Sequence, residues 1–340
     1  MECTPGEQDT LAAVIAEHIA TGEAAGSEAV AARLRSVSPA TVRNRMASLE
    51  AKGLLRHPHT SAGRIPTDAG YRYYVDRLLP RLEPDPETAR TIAAAMQHQQ
   101  DIEPALQLTC RLLARLTRQA SLASAPDWEE ERLHYAEVTA FSRHQVLLVV
   151  VGTSGRISHR LVTMTQMPER SHLRIFTHRL NEQCRGSKLS AISAEALLHL
   201  ARGLYADAAF CRQAADFLHA SRQDSRPFLF EGASNMLDYR EFRDAERLQA
   251  LMLLFEQPDP LSGLLSQATP SRTTTIIGNE AGHPALADCA LVARAYLTAD
   301  GTTGTVAILG PKRMRYDLAV AHLNLVVDML SRTFWSATIA

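Results

Sequence analysis

Apolar positions fall at helical spacing along the first third of the chain. Leu11, Val14, Ile15, His18 and Ile19 recur on one side between Thr10 and Ala20, and Gly22 closes that helix. Ser27 reads as the cap of a short helix, "SEAVAARL". Ser38, followed by Pro39, reads as the cap of a third helix, "PATVRNRMASLEAKG", which turns Val42, Met46 and Leu49 inward and ends at Gly53. The tight connection between the second and third predicts a helix-turn-helix. "LLRH" and "RIPT" then read as short strands around the loop "PHTSAG", and Thr67 or Asp68 opens a helix through "GYRYYVDRLL". That order of elements predicts a winged helix. "PRLEPDPET", with Pro80, Pro84 and Pro86, marks its boundary.

Past that boundary "TARTIAAAMQHQQ" and "ALQLTCRLLARLTRQAS" are helical, the second with a stripe of Leu106, Leu113 and Leu116 flanked by Leu112. Strand patterns follow at "YAEVTAF", "QVLLVVVGTSG" and "RISHRLVTM", with "GTSG" as a hairpin turn. Helices dominate from Ala194 to His219 and return at "DAERLQALMLLFEQ". The chain closes with strands at "TTTIIGNE", "CALVARAYLT" and "GTVAILG", then a helix from about Tyr316 to Phe334. The fold class is multidomain α+β, an antiparallel sheet with helices on it behind an N-terminal winged helix-turn-helix.

A length of 340 residues predicts two or three domains. The net charge of −1 excludes a global signature of nucleic acid or membrane, so any such signal is local. It is: between Arg33 and Arg77 nine basic residues face only Glu50, Asp68 and Asp76, a local charge of +6. That footprint suits phosphate neutralisation on DNA. The start, "MECTPGEQDT", has no basic or apolar stretch of a secretory signal, and no run nears the ~20 apolar residues of a membrane span. Cys3, Cys110, Cys184, Cys211 and Cys289 are scattered, which predicts reduced thiols in a cytoplasm.

On the third helix Ala40, Thr41, Asn44 and Ser48 project opposite the apolar side, with Arg43 and Arg45 flanking. Short residues at the helix start permit close approach, and an amide or guanidinium makes bidentate base contacts. For Arg45 alone, base readout stands level with the alternative of a phosphate contact or an intramolecular pair with Glu50. In "HPHTSAGRIPT", Gly63 suits close approach to a backbone, while Thr60, Ser61 and Arg64 can donate to phosphates. The DNA-contacting set is therefore Ser38, Ala40, Thr41, Arg43, Asn44, Arg45, Ser48, Lys52, His57, His59, Thr60, Ser61 and Arg64. His57 and His59 lack a neighbouring acid or cysteine to complete a metal set, and no cofactor is predicted. Tyr71, Tyr73 and Tyr74 read as packing against the first helix. "LGPKRMRY" offers a weak anion site at a helix start. No nucleophile elbow, P-loop or H-E-x-x-H is present, which argues against an enzyme.

"SPATVRNRMASLEAKGLLRHPHTSAGRIPTDAGYRYYVDRL" closely resembles the signature of the HrcA family of heat-inducible transcription repressors. "FLFEGASNMLDYREFRD", "TIIGNE" and "GTVAILGPKRMRYD" resemble that family's C-terminal blocks, so the resemblance covers nearly the whole chain. It implies a homodimer that binds an inverted-repeat DNA operator ahead of chaperone genes, with activity maintained by the chaperonin. It also implies a winged helix over 1–80, a linker and connecting helix over 81–100, and a GAF-like domain over 101–340. A dimerisation domain would interrupt the last at about 165–225. Two departures stand out: "GEAAGS" lacks the family's Pro-Val, and Lys312 and Arg315 stand where Thr and Asp are common. Two rival readings are a metabolite sensor, which needs a sizeable apolar pocket, and a chaperonin-bound protein with little DNA function. The "VLLVVV" strand is expected to be exposed and to make folding slow and aggregation-prone.

Overall fold

The structure, a computed structural model, describes residues 2–58, 63–97, 102–126, 131–153, 157–164, 166–204, 208–220, 228–256, 258–298 and 301–336. It is mixed α and β, and every strand pair in it is antiparallel.

Helix α1 (Pro5–Thr21) opens on a reciprocal cap: Glu7 N donates to Thr4 Oγ1 at 3.3 Å and Thr4 N to the Glu7 carboxylate at 2.7 Å. It ends on Gly22 at φ 71°. Helix α2 (Ser27–Leu34) has Gly26 as its cap, so Ser27 is its first residue and its hydroxyl caps nothing. Helix α3 (Pro39–Ala51) is capped by Ser38, whose Oγ accepts from Thr41 N at 3.2 Å. Strands β1 (Leu55–Arg56) and β2 (Ile65–Pro66) pair, and Thr67 caps α4 (Asp68–Tyr73), which continues as a π turn over Tyr74–Leu78.

After irregular chain at 79–85 come α5 (Pro86–Met96) and α6 (Ile102–Thr117). The second ends four residues sooner than its Leu stripe suggests. Arg118 turns left-handed at φ 53°, and Ala120–Ala123 forms strand β3, buried at every position. An alanine-rich strand covered on both faces has no alternation to betray it.

Strands β4 (Leu133–Ala140), β5 (Gln145–Gly152) and β6 (Ile157–Thr163) form a separate sheet, packed on α7 (Arg170–Cys184), α8 (Ala194–Leu200) and α9 (Ala208–Ala220). The sequence pattern above gives no helix at α7, although Leu173, Phe176, Thr177, Leu180 and Cys184 are buried at helical spacing. It protects the open edge of β4: Thr177 Oγ1 accepts from Val138 N at 3.1 Å, and Asn181 Oδ1 accepts from Ala136 N at 2.7 Å. In β5 the "VLLVVV" run is the central strand, with Val146, Leu148 and Val150 buried. Leu147, Val149 and Val151 on its other face are half-buried, so the strand expected to be exposed is covered on one face only.

The chain then returns as β7 (Leu229–Glu231), which pairs with β3. Residues 124–228 are thus an excursion between two neighbouring strands. The expected interruption at about 165–225 cuts that excursion after its three strands, whose core is shared with α7, α8 and α9. Helices α10 (Ala245–Glu256) and α11 (Pro258–Leu265), strands β8 (Thr274–Ile277), β9 (Cys289–Leu297) and β10 (Thr303–Pro311), and α12 (Tyr316–Ser336) complete the chain. The second sheet runs β7-β3-β10-β9-β8. Alternation along β10 sends Ala307 and Leu309 toward α10 and α11, and Val306 and Ile308 toward the face shared with α6 and α12.

That last core does not stop at the N-terminal helices. Leu11, Val42, Leu49 and Tyr71 belong to one apolar cluster with Val292, Tyr316 and Leu323. The prolines at 79–85 separate elements in sequence, while the packing continues across them.

Candidate nucleic-acid interface

Helix α3 buries Val42, Met46 and Leu49 against α1 and α2, and this fixes which residues face outward. Ala40, Thr41, Arg43 and Asn44 are exposed. Among the described residues, Arg43 and Asn44 make no side-chain hydrogen bond or ion pair. The Thr41 hydroxyl lies 3.0 Å from that of Ser38, so these two hold the helix start while remaining exposed.

The other predicted contacts on α3 are turned to internal work. Arg45 lays its guanidinium over the start of α1, where a Cβ on Gly6 would meet it at 2.6 Å. Ser48 Oγ donates to Glu7 Oε1 at 2.6 Å, and Lys52 Nζ donates to both oxygens of the same carboxylate at 2.9 and 2.7 Å. Lys52, Ser48 and the backbone of Thr4 together hold the Glu7 carboxyl down to about 2. Glu7 is therefore a buried anchor joining the start of α1 to the end of α3.

In the hairpin Arg64 is largely buried; its Nε donates to Glu50 at 2.9 Å, and its NH1 lies 3.1 Å from His57 Nδ1. Gly63 does make a close backbone approach, to Ala24 and Ala25 of the same chain, whose atoms a Cβ would meet at 2.8–2.9 Å. His57 is exposed. His59, Thr60 and Ser61 lie outside the described residues. Arg56, at the end of β1, is exposed and makes no side-chain hydrogen bond or ion pair among the described residues. Arg56 belongs to the local basic charge but not to the predicted contact set, because a lone arginine at a strand end carries no motif.

The tyrosines pack as expected. Tyr73 OH accepts from Gln8 Nε2 at 3.1 Å, and Tyr71 OH lies 2.7 Å from His18 Nδ1. The cations of "GPKRMRY" are satisfied internally: Lys312 by Asp68 at 2.8 Å, Arg313 by Glu241 at 2.5 Å and Arg315 by Asp317 at 2.6 Å. That removes the free positive charge an anion site there needs. Among the described residues no group of three His, Cys, Asp or Glu side chains is placed to hold a metal, and no helix is long and apolar enough to cross a membrane.

Residues 103–320 match the family profile of the HrcA protein C terminal domain. A heat-inducible transcription repressor HrcA of Symbiobacterium thermophilum is 33% identical over 94% of this chain and 96% of its own length. That of Moorella thermoacetica is 35% identical, covering 96% of both. A crystal structure of a hypothetical protein shares the fold over 99% of this chain and 100% of its own, with a TM-score of 0.65 at 22% identity. With a family profile spanning most of the chain and relatives aligned almost end to end, this chain belongs to the HrcA family of heat-inducible transcription repressors.

Proposed function

We propose that this protein is a cytoplasmic, dimeric repressor that binds an inverted-repeat operator ahead of class I heat-shock (chaperone) operons, with its activity maintained by the chaperonin. The observation that carries this reading is the outer face of α3. Short residues at the helix start, then an unpaired guanidinium at Arg43 and an unpaired amide at Asn44, are the groups that read base edges in a major groove. Arg56 supplies a phosphate contact beside them. Arg45, Ser48, Lys52 and Arg64 act one step back, holding α3 and the hairpin in place.

On this reading residues 1–80 form a winged helix with β1 and β2 in the wing, and 81–100 connect it to a GAF-like body over 101–340. The body carries a dimerisation unit, whose limits we draw at 124–228, where the chain leaves β3 and returns beside it in β7. The three-stranded sheet supports this role. Its inner face packs on α7 to α9, while its outer face presents Tyr135, Leu147, Val149, Val151, Ile157 and Leu161 around Glu137, Thr139 and His159, with Ile157 66% exposed. A largely apolar sheet face with a few polar groups at its centre suits a self-complementary contact between two copies. Dimers with two recognition helices related by a two-fold axis meet half-sites about one helical turn apart, ~34 Å. No catalytic role is assigned to any residue.

The test is a titration of the purified dimer onto duplexes from the regions upstream of the chaperone operons of its source organism. One dimer per inverted repeat, with affinity falling steeply as salt rises, is the expected result. Equal affinity for unrelated duplexes overturns the reading.

A further inference from the structure

Two charged residues of α4, one at its start and one in its last turn, tie the N-terminal head to the body. The Asp68 carboxylate accepts from Asn279 N at 3.1 Å, from Asn279 Nδ2 at 3.0 Å and from Lys312 Nζ at 2.8 Å. One turn on, Arg72 grips Glu280 through Nε at 3.0 Å and NH2 at 2.5 Å, and donates to Thr275 O at 2.6 Å. The fit is close: a Cβ on Gly278 would meet the Asp68 carboxylate at 2.5 Å, and Gly278 already sits at φ 53°, so only glycine permits this approach. A second tie lies at the end of α1. Arg313, paired with Glu241, covers Gly22, and Arg240 pairs with Glu23. Between the two ties Tyr71 and Tyr316 are buried against each other, with ring centroids 5.9 Å apart.

A reading head on a flexible tether follows its half-site wherever the DNA places it. This head is held at two ends over an apolar contact and has no such freedom. We propose that Asp68 and Arg72, through Asn279, Glu280 and Lys312, are positioning residues that set the spacing between operator half-sites this repressor accepts. The proposal rests on the operator reading above. Adding one base pair at the centre of an inverted repeat moves the arms apart by about 3.4 Å and turns one against the other by about a tenth of a turn. Rigid heads lose that contact, whereas released heads recover it.

The experiment compares full-length protein with Lys312→Thr and Arg72→Ala on operators whose central spacer is the natural length, one base pair shorter, one longer and five longer. A duplex with a single half-site serves as control. Native protein is expected to lose at least tenfold in affinity on every altered spacer. The variants are expected to lose threefold or less while binding the single half-site as native protein does. A variant that keeps the native spacer profile overturns the proposal, and Lys312→Thr, a half-buried side chain outside any core, removes loss of folding as an explanation. Native protein that discriminates no inverted repeat from random duplex overturns the operator reading itself, a separate result.

Discussion

The hydroxyl of Tyr71, kept protonated by burial, lies within hydrogen-bond distance of Nδ1 of His18 at 2.7 Å, joining the middle of α4 to the end of α1. Burial pushes the His18 imidazole down to about 4, with the Arg313 and Arg56 charges acting in the same direction and Glu241 and Glu23 against it. A neutral histidine there is thus part of the seam between head and body.

A histidine with a depressed folded pKa binds protons more readily when unfolded. Its contribution to stability is complete above about 6.5 and is lost as pH falls toward about 4. Melting temperatures at pH 7, 6 and 5 are expected to fall for native protein, at up to about 1 kcal/mol per pH unit from this group. His18→Gln, which cannot titrate, should show a shallower decline; parallel curves would exclude His18 as the source.

Asn44 and Lys52 should part company when each is replaced by alanine. Asn44→Ala leaves the melting temperature unchanged and costs about 1–3 kcal/mol on operator DNA, with little effect on random duplex. Lys52→Ala lowers the melting temperature, since it frees the Glu7 carboxylate, and barely alters the salt dependence of binding because its charge is already offset. Arg56→Ala, removing an unpaired cation, lowers the salt slope by about one. Salt titrations of the three variants check this pattern, and a slope change for Lys52 equal to that for Arg56 would refute it.

Dimerisation has its own variant. Leu161 lies on the outer face of β6, 43% exposed, so Leu161→Asp puts a charge on the proposed contact at little cost to its own core. Sedimentation is expected to show monomer with an unchanged far-ultraviolet spectrum. A stable dimer would move the interface elsewhere.

Why α3 was legible and the seam was not follows from distance along the chain. Ser38, Pro39 and the spacing of Val42, Met46 and Leu49 are local signals within one helix. Asp68 finds Asn279 across 211 positions and Lys312 across 244, and no periodicity encodes such a meeting. Lys52 looked like a phosphate contact for the same reason: its partner Glu7 is 45 residues away. Ala120 and Ser121, the first half of strand β3, read as the end of a helix because alanine favours helices and only the neighbouring β7 and β10 make them a strand. The three C-terminal blocks "FLFEGASNMLDYREFRD", "TIIGNE" and "GTVAILGPKRMRYD" were visible as motifs. Their shared task, gripping the head through Arg240, Glu241, Asn279, Glu280, Lys312 and Arg313, was not.

Heat sensing through the chaperonin gives a fourth expectation. Mild heating should abolish operator binding, added chaperonin should restore it, and excess denatured protein should block that recovery by mass action. Complete unassisted recovery at the same rate would remove the chaperonin step and leave DNA binding intact.

The most direct measurement is a hydroxyl-radical footprint of the full-length protein on promoters of the chaperone operons of its source organism. The account predicts two protected half-sites related by a dyad, about one helical turn between centres, with protection lost for Asn44→Ala at concentrations that saturate native protein. Uniform protection without a dyad, or none at concentrations that coat random DNA, would contradict it.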